Sequence, residues 1–250
     1  MVDLESILNI SNKVQFEDCA LRLFRYQAQR CEPYRRYIEL LGIDPAEVSK
    51  VEDIPFLPIE LFKSSDVYCG EGAPEIVFTS SNTGATQPSR HLMASLETYR
   101  EAFTRAFEHF YGKAEEWSIY GLLPNYLERE GSSLVYMVDT LIKRCGSGGF
   151  YLNDYEKLIE DIERDPKPKI LLGVSYALWD VAEKYAPKLK DTIIMETGGM
   201  KGRREELSKS ELHKILCEGF GVEIGIDEIV PENFNSAKAL WELIERLDTV

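Results

Sequence analysis

The chain has 250 residues and carries 43 acidic against 29 basic side chains, a formal net charge of −14 at pH 7. This surplus of negative charge repels phosphate backbones and anionic lipid surfaces, so we expect no nucleic-acid or anionic-membrane partner. An apolar content of 44 %, with 11 % aromatic residues, predicts a globular chain with a sizeable core. An anionic nucleotide would have to be held by local donors.

The cysteines and the N-terminal sequence indicate a cellular compartment. The five cysteines are odd in number and contain no C-x-x-C pair, so we expect neither a disulfide framework nor a zinc site. The three histidines lack metal-ligand spacing, and we assign no metal-binding residue. No basic and apolar leader opens the chain, and no window approaches the roughly 18 apolar residues of a membrane span. We therefore expect a soluble cytoplasmic protein without a membrane span.

The chain opens with helical patterns and then becomes extended. Residues 1–50 place apolar side chains at three- and four-residue steps, which predicts an N-terminal helical segment. Asp44-Pro45 is typical of a helix start. Ile54-Pro-Phe-Leu-Pro58 is predicted to be extended, because each proline disfavours helix at the residue before it.

Short apolar runs alternate with amphipathic helices over residues 51–205, and a helical tail is predicted over 206–250. This alternation predicts an α/β core in which right-handed βαβ units form a parallel sheet with flanking helices. The glycines of 146–149 predict a loop, Asn153 is predicted to cap the next helix, and Ser208 with Glu211 resembles a capping box. The predicted strands are Ser118–Pro124, Ile170–Val174 and Thr192–Met195; the predicted helices include Leu96–Tyr111, Ser133–Lys143 and Ser175–Tyr185.

The most informative stretch is residues 76–91, where an apolar run leads into a loop of small and polar residues. Ile76 to Phe78 predict the end of a buried strand, and the seven residues Thr79 to Ala85 follow. Gly84 can adopt positive φ, and successive N–H groups and hydroxyls form a concave anion site. A solvated Ser/Thr hairpin is the alternative that composition leaves open. A Walker A loop is excluded, because no Gly-Lys-Ser/Thr follows at the required spacing.

Three loops follow predicted strands and contain small polar residues. They are residues 79–86, the region around 124–133, and residues 196–202. Ligands of parallel sheets bind at the carboxyl ends of the strands, so we expect these loops to converge on one crevice.

Four stretches in this order resemble one family. They are Ile54–Lys63, Phe78–His91, Leu123–Leu134 and Met195–Arg203. Together they resemble the acyl-protein synthetase (LuxE-like) family, a branch of the adenylate-forming acyl-CoA synthetase and luciferase superfamily. The resemblance covers roughly residues 30–220 and implies a core like the N-terminal domain of adenylate-forming enzymes.

The resemblance implies that ATP, with Mg²⁺, activates a fatty acid. The carboxylate attacks the α-phosphorus to give an acyl-adenylate and pyrophosphate, and the acyl group then passes to a thiol of a protein or carrier. An acyl reductase is among the implied partners. No catalytic residue is assigned. The implied nucleotide-binding residues are Thr79, Ser80, Ser81, Thr83, Gly84, Arg90, Thr197, Gly198, Gly199 and Lys201.

The sequence also departs from the family. Asn82 stands where the superfamily loop usually has glycine, and Ser89-Arg90 replaces the usual lysine after proline. No Tyr-Gly-x-Thr-Glu motif follows Gly219–Val222, and the later regions of the family do not appear in this sequence. A truncated, non-catalytic relative that binds an acyl-transfer or acyl-reductase partner therefore stays open as an alternative.

Two further interpretations receive less weight. An α/β hydrolase would use Ser133 or Ser175 as nucleophile, but neither lies in Gly-x-Ser-x-Gly. Cys145 or Cys217 could accept an acyl group, although buried structural thiols are the commoner case.

Overall fold

A computed structural model of the protein describes residues 4–80, 87–123, 131–200 and 202–221. Ser81, Thr83, Gly84 and Lys201 of the predicted site lie outside these residues, as does the tail from residue 222 onward. The described helices are α1 (Leu4–Leu8), α2 (Lys13–Arg30), α3 (Glu32–Leu41), α4 (Leu61–Ser64), α5 (Leu96–Tyr111), α6 (Ser133–Cys145), α7 (Tyr155–Arg164), α8 (Ser175–Tyr185) and α9 (Lys209–Phe220). The described strands are β1 (Ile76–Thr79), β2 (Arg90–Met93), β3 (Ser118–Leu122), β4 (Gly148–Tyr151), β5 (Lys169–Val174) and β6 (Thr192–Thr197).

The N-terminal helices form a small hydrophobic cluster. Helix α2 begins where the Asn12 side chain accepts a hydrogen bond from the Gln15 N–H at 3.0 Å. The predicted helix start at Asp44-Pro45 is wrong, because Asp44 Oδ1 accepts the Ala46 N–H at 2.9 Å and closes only a turn. The buried members of this cluster are Phe24, Ala28, Cys31, Tyr34, Ile38 and Val48.

The first predicted strand belongs to a hairpin and not to the parallel sheet. Strands β1 and β2 pair antiparallel, with Ile76 opposite Met93 and Thr79 opposite Arg90. Within β1 only Phe78 is buried. A run of three apolar residues does not distinguish a buried parallel strand from one face of a hairpin, because the strand's partner lies elsewhere in the sequence. The strands on either side of this loop therefore form a hairpin, which is the alternative that composition left open for this stretch.

Four of the described strands form a parallel sheet in the order β4-β3-β5-β6, and helices cover the sheet. The predicted α/β core with a parallel sheet is thus confirmed. The predicted loop at 146–149 is wrong in part, since Gly148 and Gly149 open strand β4. Gly148 has φ +94° and approaches the Ile119 backbone so closely that a Cβ atom would lie 1.9 Å from the Ile119 oxygen. Glycine is required at this contact. Because glycines are typical of loops, the sequence predicted a loop here and not a strand.

Side-chain direction shows that the helices lie on both faces of the sheet. A Cβ atom at Gly121 would lie 3.4 Å from Val138 of α6. The neighbouring Tyr120 points the other way and donates to Asp165 Oδ2, beyond the end of α7, at 2.8 Å. Adjacent strand residues face opposite sides, so α6 and α7 lie on opposite faces.

Helix α8 lies on the same face as α7. A Cβ atom at Gly173 would lie 2.7 Å from Leu178 of α8 and 3.3 Å from Leu122, the residue two positions after Tyr120. The chain therefore leaves β3 toward one face and β5 toward the other, which makes the β3–β5 boundary the topological switch point of the sheet.

Local signals set most of the helix boundaries. Ser95 and Ser132 cap α5 and α6, and the predicted capping box of Ser208 and Glu211 opens α9. Helix α7 is capped by Asp154 and not by the predicted Asn153. None of the described helices has the length and apolar character that crossing a membrane requires.

A buried polar network occupies the amino edge of the sheet. The Lys169 ammonium group donates to the backbone oxygens of Asp165 at 3.1 Å and Lys167 at 2.9 Å. Burial alone would raise the pKa of Asp165. Hydrogen bonds from Ser118, the Lys167 N–H and Tyr120, with the charge of Lys169, hold that pKa below its ordinary value.

This network predicts an acid-sensitive contribution to stability. Because the pKa of folded Asp165 is depressed, its stabilisation is present above the unfolded pKa of about 3.9 and is lost as pH falls through the folded pKa. We expect Asp165→Asn to lower the free energy of unfolding by about 1–2 kcal/mol at pH 7, with the difference shrinking below pH ~4. Urea unfolding from pH 7 to 3 measures this, with the exposed Asp53→Asn as control. If the free energies of unfolding of wild type and Asp165→Asn differed by the same amount from pH 7 to 3, the charge of Asp165 would not contribute to stability.

Candidate functional site

The carboxyl edge of the parallel sheet brings together the ends of three predicted strands. Leu122 of β3 pairs with Gly173 of β5, and Val174 at the end of β5 pairs with Thr197 at the end of β6. Helix α6 begins after β3 and α8 directly after β5, so both helices start at this edge. Ligands of doubly wound sheets bind here, at the switch point between the diverging chains.

A backbone hydrogen bond to a glycine connects the hairpin to this edge. The Thr79 N–H donates to the Gly131 oxygen at 2.8 Å, and Gly131 leads directly into the cap of α6. Gly131 has φ +85°, and a Cβ atom there would lie 3.2 Å from the Val77 oxygen and 3.3 Å from Thr79 Oγ1. The end of the hairpin therefore lies beside the first turn of α6, as the predicted convergence of the first two loops requires.

Two of the predicted hairpin residues are engaged in local contacts. Ser80 and Ser89 exchange backbone and side-chain hydrogen bonds, with the Ser80 N–H donating to the Ser89 oxygen at 3.0 Å and the Ser89 N–H to Ser80 Oγ at 3.0 Å. The Arg90 guanidinium forms an ion pair with Asp66 on the surface. The charge of Arg90 is therefore matched by a carboxylate, which leaves it less suited to hold a phosphate.

The Thr-Gly-Gly motif begins where β6 ends at this edge. Gly198 has φ +82°, so the chain turns sharply after Thr197, and the space beside Gly199 is open for at least 4 Å. Met200 is buried and fixes the turn to the core. The structure therefore brings the described parts of the first and third predicted loops, Thr79–Ser80 and Thr197–Gly199, to one edge of the sheet.

An arginine clamp holds the chain after this turn against α8. Arg204 donates to Asp180 through Nε at 2.9 Å and to Glu183 through Nη2 at 2.7 Å. Its guanidinium also stacks over the Trp179 ring, 4.2 Å from the centroid. Burial opposes the charge of Arg204, but the two carboxylates outweigh it and raise its pKa, so Arg204 stays charged.

The first turn of α8 is buried, with Ser175 and Tyr176 at most 2 % exposed, and a carboxylate lies beside it. Val174 caps α8 without a side-chain hydrogen bond, so the first N–H groups point toward the edge of the sheet. The Ser175 hydroxyl donates to the carboxylate of Glu196, near the end of β6. A carboxylate near a helix N-terminus is favoured by the helix dipole.

Three residues without a role predicted from the sequence also lie at this edge: Glu196, Arg203 and Tyr176. Arg203 stacks on the Tyr176 ring, and Tyr176 is the second residue of α8. The basic pair Arg203-Arg204, directly after the glycine turn, is a sequence signal that could have indicated a positively charged group at this edge. Its two members have different roles, which only the structure distinguishes.

An apolar groove of about 290 Å³ runs between the hairpin and α6, next to the anchoring glycine. Its lining residues are Ile76, Phe78, Gly131, Ser132, Val135, Tyr136, Asp139 and Phe150. Over the described residues, no group of three or more histidine, cysteine, aspartate and glutamate side chains is placed to hold a metal ion.

The two cysteines considered as acyl acceptors are not exposed. Cys145 is buried, and burial is the main cause that raises the pKa of its thiol to about 11, so the thiol stays protonated at neutral pH. Cys217 is partly buried in α9.

The described residues define a doubly wound α/β protein in which β3, β5 and β6 end at the carboxyl edge of the parallel sheet. Comparison with known proteins adds no relative, since no family model matches the chain and no curated protein matches it significantly.

Proposed function

We propose that the protein binds ATP at the carboxyl edge of its sheet and activates a fatty acid as an acyl-adenylate, in the manner of acyl-protein synthetases. The observation that carries the proposal is the Thr79–Gly131 hydrogen bond, which holds the hydroxyl-rich hairpin beside α6 at the edge where Thr197-Gly198-Gly199 emerges. The sequence resemblance to the LuxE-like family supplies the reaction. It also supplies the likeness of the core to the N-terminal domain of adenylate-forming enzymes.

The chemistry requires neutral donors more than a strong positive field. An anionic carboxylate must approach an anionic triphosphate, so the phosphates must be hydrogen-bonded before the carboxylate attacks the α-phosphorus. The Thr79 and Ser80 hydroxyls at the hairpin end can provide such bonds in a chain of net charge −14. The open space at Gly199 permits a nucleotide to approach the backbone closely.

The residues at this edge fit Mg²⁺ only as an ion that arrives with the nucleotide. Mg²⁺ is commonly held by one or two carboxylates together with substrate phosphates and water, and Glu196, near the end of β6, would be one such carboxylate. When bound, Mg²⁺ would neutralise phosphate charge. The contribution of the chain is to hold Glu196 through Ser175, so that its carboxylate stays at the crevice.

The apolar groove beside Gly131 is suited to the hydrocarbon chain of the fatty acid. Ile76, Phe78 and Val135 supply apolar surface, and the groove borders the anchored hairpin end. The carboxylate of a chain lying there can point toward the crevice and away from Asp139.

The acyl acceptor in this proposal belongs to a partner protein or carrier. Burial is the largest cause that raises the pKa of both Cys69 and Cys145 to about 11, so neither offers a thiolate at neutral pH. A carrier thiol or the thiol of an acyl reductase would therefore receive the acyl group.

A second candidate is a binding subunit without adenylation activity. Two observations favour it: Arg90 is paired with Asp66, and the Glu196 carboxylate already lies near the first turn of α8, where a phosphate would bind. This candidate predicts binding to an acyl carrier or acyl reductase without pyrophosphate release.

Fatty-acid-dependent pyrophosphate release tests the proposal. With MgATP and tetradecanoic acid, we expect release by the wild-type chain and about a tenfold lower rate for Gly131→Ala, because the hairpin atoms beside the added Cβ must shift by a few tenths of an ångström. Gly42→Ala is the matched control, since Gly42 also has positive φ, +69°, but nothing lies within 4 Å of its Cβ position. Release without dependence on the fatty acid, or no ATP binding at millimolar concentration, would overturn the proposal. If Gly131→Ala and Gly42→Ala lowered the rate of pyrophosphate release equally, the contact between Gly131 and the hairpin would not explain the loss.

A further inference from the structure

Arg203 is a cation at the carboxyl edge that Sequence analysis left without a role. Its guanidinium carbon lies 5.0 Å from the centroid of the Tyr176 ring. Tyr176 is almost fully buried in the first turn of α8, so the ring is a fixed platform at the edge of the sheet. The Arg203 side chain itself is exposed.

The charge of Arg203 has no carboxylate partner among the described residues, whereas its neighbour Arg204 has two. Arg204 binds Asp180 and Glu183 and is mostly buried. Glu196 accepts a hydrogen bond from Ser175 and forms no ion pair with Arg203 within the described part of the chain. Within the described residues Arg25 and Arg36 also form no ion pair, and of these three arginines Arg203 is the one at the carboxyl edge of the sheet.

The charge of Arg203 acts on groups at the start of two helices. Tyr155 is the first residue of α7; burial is the largest of the causes that raise its pKa to about 12, and the charge of Arg203 opposes them. Arg203 also lies beside the first turn of α8, where the helix dipole disfavours a cation. An anion bound by Arg203 would offset this unfavourable interaction.

The exposed guanidinium of Arg203 has N–H donors available for a ligand. These donors lie in one plane and can bind two phosphate oxygens together. Lysine lacks this planar arrangement. The geometry therefore suits a phosphate group better than a single carboxylate oxygen.

We propose that Arg203, held on Tyr176, binds the phosphate groups of the ligand and makes this site select nucleoside triphosphates over nucleosides. The inference rests on the proposed function for the identity of the ligand, but phosphate binding through Arg203 can be tested without it. In this proposal Arg203 takes the role that the sequence predicted for Arg90, whose charge is paired with Asp66.

Titration calorimetry with MgATP, tripolyphosphate and adenosine tests the proposal on wild type, Arg203→Gln, Arg203→Lys and Arg164→Gln. Arg164 is an exposed arginine on α7 and serves as the matched control. We expect Arg203→Gln to bind MgATP and tripolyphosphate about 10- to 100-fold more weakly, as loss of a charge-assisted contact predicts. Arg203→Lys should fall between Arg203→Gln and wild type, and adenosine binding should stay unchanged.

The outcomes separate this inference from the proposed function. If wild type binds MgATP and Arg203→Gln binds it equally well, the role of Arg203 is overturned while the proposed function stands. If wild type binds tripolyphosphate through Arg203 but shows no pyrophosphate release with any fatty acid, the anion site stands and the proposed function fails. If wild type binds neither MgATP nor tripolyphosphate, both are overturned. A structural role alone would lower the unfolding temperature of Arg203→Gln and leave its anion affinity unchanged.

Discussion

Gly148→Ala is expected to destabilise the protein by about 3–5 kcal/mol, which places it in the severe tail of single substitutions. The Cβ atom of an alanine would lie 1.9 Å from the Ile119 oxygen and 2.6 Å from the Ile119 carbonyl carbon. These are backbone atoms of a central strand, so no side-chain rotation relieves the overlap. Strand β4 would have to separate from β3, and the parallel pairing that begins with Ile119 opposite Gly148 would be lost.

Thermal and urea unfolding measure this effect against a close control. Gly146 lies two residues earlier with φ +68°, but nothing lies within 4 Å of its Cβ position. Gly146→Ala should therefore cost only the roughly 1–2 kcal/mol of a left-handed non-glycine residue. Similar losses in the two variants would mean that backbone conformation, and not the approach of β4 to β3, explains the requirement for glycine.

The elements that the sequence predicted best are those whose signals are local. Helix α8 has the predicted bounds Ser175–Tyr185, α5 has the predicted bounds Leu96–Tyr111, and the capping box at Ser208 is present. In each case a cap, a helical repeat of apolar residues or a terminating residue lies within a few positions of the boundary. Such signals act without reference to the rest of the fold.

The pairing of the strand at 76–79 and the existence of the strand at 148–151 were missed because their partners are distant in sequence. Nothing within Ile76 to Phe78 indicates that the chain returns antiparallel after residue 89. The glycines before Phe150 resemble a loop until β3 is known to pack against them. Strand pairing is a tertiary property, and a short apolar run carries little information about it.

The candidate site shows the same limit for charged residues. Arg90 follows the hairpin loop directly and was the natural choice for a phosphate-binding cation, but Asp66, 24 positions earlier, neutralises it. Arg203 and Arg204 are adjacent in sequence, yet one stacks on a ring in the open and the other is clamped between two carboxylates. Which arginine is available for a ligand depends on its partners, and those partners come from other elements of the fold.

Gly219→Ala should destabilise the protein by about 2 kcal/mol, although alanine is the better helix former. A Cβ atom at Gly219 would lie 2.5 Å from Ala182 Cβ, 2.8 Å from Ala182 Cα and 2.9 Å from the Ala182 oxygen. Helix propensity favours alanine by at most about 1 kcal/mol, whereas overpacking of this kind typically costs about 1–3 kcal/mol. Because two of the three contacts are backbone atoms, α9 must move away from α8, and overpacking outweighs propensity.

A double-mutant cycle with Ala182→Gly gives this prediction a sharper form. Removing the Ala182 methyl group relieves the 2.5 Å contact but leaves the two backbone contacts, so we expect partial rescue of Gly219→Ala and a coupling energy of about 0.5–1 kcal/mol. Glu218→Ala, at an exposed neighbouring position of α9, should change stability by less than about 0.5 kcal/mol. If Ala182→Gly restored the full stability, the steric overlap would involve the Ala182 methyl group alone and not the backbone. No coupling would mean that α8 and α9 do not approach closely at Ala182. The same substitution also tests whether α9 holds α8 in place. Because the first turn of α8 belongs to the candidate site, Gly219→Ala should then weaken MgATP binding.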